Sequence, residues 1–138
     1  MIAIAIALMA NSGSAHANPL DWATGYWGIS PRDMHSEDYE DRNCSDSPVQ
    51  IKINGGAPQY WSQIGEETPR TATISAITET GFTLEYDNET RRMDNGRLHI
   101  WHIEFIDADT FFWIRDDWKK DGSYSRTVRR YRCEMRVS

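Results

Sequence analysis

Apolar and polar residues alternate with a period of two through much of this chain, most clearly where Phe82, Leu84 and Tyr86 interleave with Thr83, Glu85 and Asp87. Successive side chains of a strand point to opposite faces, so this pattern predicts a strand with one buried face. Val49, Ile51 and Ile53 alternate in the same way with Gln50 and Lys52 between Pro48 and Asn54, and the run stops at the turn signal Asn54-Gly55-Gly56. Further strands are predicted at Gly25 to Ser30, Gln59 to Ile64, Arg70 to Thr78, Arg97 to Ile106, Thr110 to Arg115 and Ser123 to Cys133. Thr80-Gly81, Asp94-Asn95-Gly96, Asp107-Ala108-Asp109 and Lys120-Asp121-Gly122 supply the turn chemistry between them. Only Asp33 to Asp41 admits a helical reading, and it carries little to bury. Eight strands joined by short turns predict an all-β fold, an antiparallel up-and-down β-barrel, because closure leaves no strand edge unpaired. A β-sandwich is the alternative.

The N-terminus breaks this pattern. MIAIAIALMANSGSAHA is apolar and ends in Ala15-His16-Ala17, the small-x-small pattern of a signal-peptidase site. Residues 1–17 are therefore expected to be a cleaved signal peptide and 18–138 a single barrel domain, periplasmic or secreted. A basic n-region is missing, which raises the possibility of a start codon placed too late; a buried N-terminal helix or strand is the other reading. Ile2 to Ala10 falls short of the roughly 20 residues that cross a membrane, and Asn18 is no lipidation site.

Composition fits one folded core. Aromatics make up 12% of the chain, with Trp22, Trp27, Trp61, Trp101, Trp113 and Trp118 all beyond the leader, too many for a disordered protein. The net charge of −6 argues against nucleic-acid or anionic-membrane partners. Asp33, Glu37, Asp38, Glu40, Asp41 and Asp46 crowd one segment around Cys44, while Arg126, Arg129, Arg130, Arg132 and Arg136 crowd another around Cys133. In an oxidising space the two cysteines are expected to pair and bring these segments together; two solvated faces that never meet is the alternative.

Gly25-Tyr26-Trp27-Gly28, placed on the first of eight strands, resembles the G-x-W signature of the lipocalins and wider calycin barrels. The resemblance implies that Gly25 and Trp27 belong to the barrel floor, with Arg130 or Arg132 of the last strand packed across the indole. The disulfide strains this picture. In up-and-down order the Cys44 loop lies at the opposite end from the finish of the last strand, roughly 20 Å away at ~3.3 Å per residue, whereas a disulfide tolerates about 7 Å between Cα atoms. Doubling back of Ser30 to Asn43 after Pro31 would close the gap; a different topology or free thiols are the alternatives.

An eight-stranded barrel is filled by side chains or just holds one small ligand. Phe82, Leu84, Tyr86, Trp101, Ile103, Phe105 and Trp113, with Phe111, would line its interior, as a packed core or as an apolar ligand site. His102 and Glu104 share a strand face and are the one pair that could move a proton, while His99 points to the opposite face and His35 lies in the acidic segment. No metal site is expected, since the acidic cluster lacks calcium-loop spacing, and no cofactor or catalytic motif occurs. The leading expectation is an exported lipocalin-like binding protein for a small apolar or aromatic ligand. A protein-interaction module is the alternative, since barrels with a similar start include periplasmic protease inhibitors. Asn18 to Trp22 would then be either its anchor or a plug across the floor. An enzyme resting on His102 and Glu104 is the third reading.

Overall fold

The computed structural model describes residues 18–29, 43–56, 58–121 and 129–134. The expected leader, its Ala15-His16-Ala17 site, the helical reading of Asp33 to Asp41, His35, Arg126 and Arg136 lie outside the described residues. A short helix α1 (Pro19–Ala23) leads into β1 (Gly25–Ile29). There follow β2 (Val49–Asn54), β3 (Gln59–Ile64), β4 (Arg70–Ser75), β5 (Gly81–Tyr86), β6 (Trp101–Asp107), β7 (Thr110–Arg115), a second short helix α2 (Asp116–Asp121) and β8 (Arg129–Arg132). Each strand pairs antiparallel with its neighbour in sequence, and β1 closes on β8 to make an up-and-down barrel. The sandwich alternative falls.

The register shows how alternation builds the core. Opposed residues share a face, so the pairs Trp27 with Arg132, Ile53 with Tyr60, Tyr60 with Ala72, Ala72 with Tyr86, Leu84 with Trp101, Ile103 with Trp113 and Phe105 with Phe111 place all these side chains inside. Two strands differ from the periodicity. β4 stops at Ser75 rather than Thr78 because Ala76 takes a positive φ of 47° and turns the chain out of the sheet, leaving Ile77 exposed. β6 begins at Trp101 rather than Arg97. Residues 97–99 pair back on 91–93 instead, through the Arg92–Leu98 bridge and the bonds Met93 N to Arg97 O and His99 N to Arg91 O, with Met93 buried beneath. Of the expected last strand, 129–132 is observed, with 123–128 outside the described residues.

The N-terminal helix seals one end. Asn18 caps it by accepting from Leu20 N at 2.8 Å, and Pro19 occupies a first-turn position where its missing N–H costs nothing. Pro19 and Ala23 are buried and Trp22 packs edge-on against Phe105 at 5.5 Å. Asn18 to Trp22 is thus a plug across the floor. Trp27, fully buried, donates from its indole N–H to Ala23 O at 2.9 Å and meets Phe111 edge-to-face at 4.7 Å. Arg132 lies over the Trp27 ring at 4.5 Å. Its guanidinium donates to Trp22 O, to Thr24 O at 2.9 Å and to Ala108 O at 2.7 Å, while its Nε reaches the Asp109 carboxylate at 2.8 Å. Gly25 makes room for this: at φ +142° a Cβ would stand 2.7 Å from the Arg132 Nη1. Arg130, two residues earlier on β8, faces the interior opposite Ile29 and Phe111.

Cys44 and Cys133 form a disulfide with 5.5 Å between their Cα atoms, and the strand order stays up-and-down. Cys44 reaches Cys133 by lying on the outer wall of β1, over Gly28, where a Cβ would come within 2.7 Å of the Cys44 N and Sγ. Of the segment expected to double back, only Asn43 is among the described residues. On the chain-entropy account, a bridge spanning 89 residues contributes roughly 4–5 kcal/mol.

Trp27→Ala is expected to cost about 3–5 kcal/mol by urea denaturation, since it opens a cavity under the floor and removes the surface on which Arg132 stacks; a loss below about 1 kcal/mol would contradict this account. Gly28→Ala forces Cys44 off the wall. Oxidatively folded G28A protein should lose about 1–3 kcal/mol and label with a thiol reagent in denaturant without reductant, where the parent protein stays unlabelled.

Candidate functional site

The barrel interior has two unequal halves. Toward the floor, Trp27, Phe82, Leu84, Ile103, Phe105 and Phe111 are at most 5% exposed. Toward the other end the inward side chains Tyr86, Trp101, Trp113 and Arg115 are only partly buried. A side chain pointing into a closed barrel meets water only through an end, and the floor end is plugged. The less enclosed inward residues therefore lie away from the plugged floor.

Edge-to-face contacts run from floor to mouth: Phe111 meets Trp113 at 5.7 Å, Trp113 meets Tyr60 at 6.0 Å and Trp101 at 6.2 Å, and Trp101 meets Trp118 of α2 at 5.6 Å. Tyr60 also meets Tyr86 at 5.9 Å. Such pairs add about 0.5–1.5 kcal/mol each beyond area burial, enough to hold these rings in set orientations. Cations crown the mouth. Arg70 stacks on Tyr86 at 4.5 Å and Arg115 on Trp118 at 4.8 Å. Arg70 reaches Glu89 at 3.6 Å, and Arg91 makes a two-pronged pair with Glu89 at 2.7 and 2.9 Å. Arg115 makes a two-pronged pair with Asp117.

These surroundings set the ionisation of the mouth. The hydrogen bonds from Arg91 hold the Glu89 carboxyl below the usual carboxylate range, and those from Arg115 do the same for Asp117. Desolvation, then the charge of Arg91, lowers His99 and keeps it neutral at pH 7. Inside, burial raises Tyr60 well above the ordinary phenol value and pushes Tyr86 up to about 12. The Tyr60 hydroxyl is buried beside those of Ser62 and Tyr86, and the indole N–H of Trp101 is buried without an acceptor.

The positions singled out in the sequence divide between the two halves. Tyr86, Trp101 and Trp113 line the upper half, Phe82, Leu84 and Ile103 form its base, and Phe105 belongs to the floor. His102 and Glu104 take different partners. His102 faces outward yet is 8% exposed, held by Asp116 Oδ1 at 2.8 Å on Nε2 and by Thr83 Oγ1 at 2.9 Å on Nδ1, while Glu104 accepts from Thr80 Oγ1 at 3.1 Å. The pair Asp116–His102 ties the end of β7 to β6, a fastening role. Tyr60 and Arg115 went unrecognised in the sequence, although both fall on the inward phase of their strands. Among the described residues no helix is long and apolar enough to cross a membrane, and no cluster of His, Cys, Asp or Glu could hold a metal ion.

Compared with protein families, curated proteins and solved structures, the chain matches none.

The buried phenols give a signed pH dependence. The unfolded chain loses its tyrosine protons near pH 10, whereas the fold keeps Tyr86 protonated to about 12 and Tyr60 beyond its ordinary range. The unfolded state thus binds fewer protons in this window, so stability falls as pH rises from 10 toward 12. Thermal melts of Tyr86→Phe should fall less steeply across that window than those of the parent; parallel curves would refute the assignment.

Proposed function

We propose that this is a lipocalin-like binding protein that holds a small apolar or aromatic molecule in the upper half of its barrel, between Tyr86, Trp101 and Trp113. The observation that supports this reading is the asymmetry of the interior: inward aromatic residues are only partly buried toward one end and almost fully buried at the other. Rings fixed edge-to-face present flat apolar surfaces with little entropy left to lose on binding. The closed floor gives the ligand one way in and out.

Export belongs to the same proposal. The disulfide fits an oxidising compartment, and the apolar leader of residues 1–17 supplies a route to the periplasm or the exterior. The protein-interaction alternative has lost the anchor considered for it, because Asn18 to Trp22 is packed as the floor plug. Native mass spectrometry of the protein expressed with its leader and purified from a bacterial periplasm tests both parts. The expected chain begins at Asn18, is two daltons lighter than its reduced form, and either carries a small ligand lost on denaturation or takes up added N-phenyl-1-naphthylamine with a rise in its fluorescence. A chain beginning at Met1 would overturn export; no bound mass and no dye uptake would overturn ligand binding.

A further inference from the structure

Trp101 opens β6 on its inward phase, opposite Leu84 of β5 and Arg115 of β7. Its indole stands edge-on to His99 at 5.5 Å, to Trp118 at 5.6 Å and to Trp113 at 6.2 Å, with the Arg91 guanidinium over the ring at 6.0 Å. The indole N–H is buried and has no acceptor. Its company explains why. Arginine and indole nitrogens only donate, leucine has no polar side-chain atom, and the face of an aromatic ring is a weak acceptor. His99 alone among these side chains carries a nitrogen able to accept, and it does not pair with this N–H. Buried donors are normally paired, and a ligand that brings an acceptor would pair this one.

The charge at this end is already matched. Arg70 and Arg91 meet Glu89, and Arg115 meets Asp117 and, at 3.6 Å, Asp94. Each of these arginines has its carboxylate, so a charged group brought among the rings would lose its hydration for little return. A neutral acceptor suits the site, and a carbonyl oxygen joined to an aromatic ring is its simplest form.

We propose that the ligand is a neutral aromatic carbonyl compound, its oxygen accepting from the Trp101 N–H and its ring lying against Tyr86 and Trp113. This rests on the ligand-binding reading above and adds the polarity and orientation of the ligand. Leu84, Trp113 and Arg115 are held in the barrel ladder, whereas His99 and Trp118 belong to the connections beyond it. The carbonyl enters where those two rings stand beside the indole.

Displacement of N-phenyl-1-naphthylamine from the oxidised protein at pH 7 compares 2-acetylnaphthalene with 2-isopropenylnaphthalene, which keeps the planar shape and has a methylene group in place of the oxygen. A purely apolar site favours the hydrocarbon, which gives up less hydration. The ketone is instead expected to displace the dye at a concentration about threefold or more lower, the scale of one neutral hydrogen bond. Trp101→3-benzothienylalanine keeps the bicyclic ring and replaces the N–H by sulfur, and it should reverse the order; the two compounds are compared within each protein, so a general change in dye affinity cancels. In proton NMR of the parent protein the Trp101 indole N–H signal should move downfield with the ketone and not with the hydrocarbon, a reading that stands even where the substituted protein does not fold. A hydrocarbon as good as the ketone on the parent protein, an N–H signal indifferent to the ketone, or a ketone preference that survives the substitution would overturn the inference, while dye uptake leaves the binding function standing. If the dye is taken up and neither compound displaces it, the carbonyl is again overturned and the barrel still binds. If none of the three binds, the function falls and this inference with it.

Discussion

The fold depends on one residue reaching from the last strand to the first. Arg132 stacks on Trp27 and donates to Trp22 O and Thr24 O, while Trp27 itself donates to Ala23 O between them. Three successive carbonyls at the end of α1, which a five-residue helix cannot satisfy internally, are thereby taken by β1 and β8. The same guanidinium holds Ala108 and Asp109 of the turn between β6 and β7. A single planar, always charged group with its donors in a fixed fork joins the plug, the closing strand pair and an opposite turn. A lysine could not span these acceptors.

Sealing one end decides what the other can be. With Trp22, Trp27, Phe105 and Phe111 held in edge-to-face and tilted contacts, the lower half is a closed aromatic core. The upper half then carries the variation: partly buried aromatic residues, hydroxyls facing inward and arginines at the rim. The disulfide acts on the same division. It pins Cys44 against β1 beside Cys133, which follows Arg132 and donates its N–H to Tyr26 O at 2.8 Å, so it secures the closing seam near the floor.

Much of this was legible in the sequence because strand periodicity is a local property. Phe82, Leu84 and Tyr86 announced their inward face, and Gly25 with Trp27 announced the floor. What stayed hidden depends on register. Arg130 and Arg132 share the inward phase of one strand, so no alternation distinguishes the floor arginine from the deeper one; only the pairing of Trp27 with Arg132 does. The end of β4 was foreshadowed by the slip in phase between Ile74 and Ile77, and the plug by Asn18-Pro19, a cap followed by a residue suited to a first turn. His102 gave no sign of Asp116, because the partner is brought to it by β7 rather than by its own strand.

The interior is also a compromise between stability and use. Burying the Trp101 indole N–H without a partner costs roughly 1–3 kcal/mol, a large fraction of the net stability of a small domain. The cross-link and the floor clamp lie at the far end and offset that cost without filling the mouth.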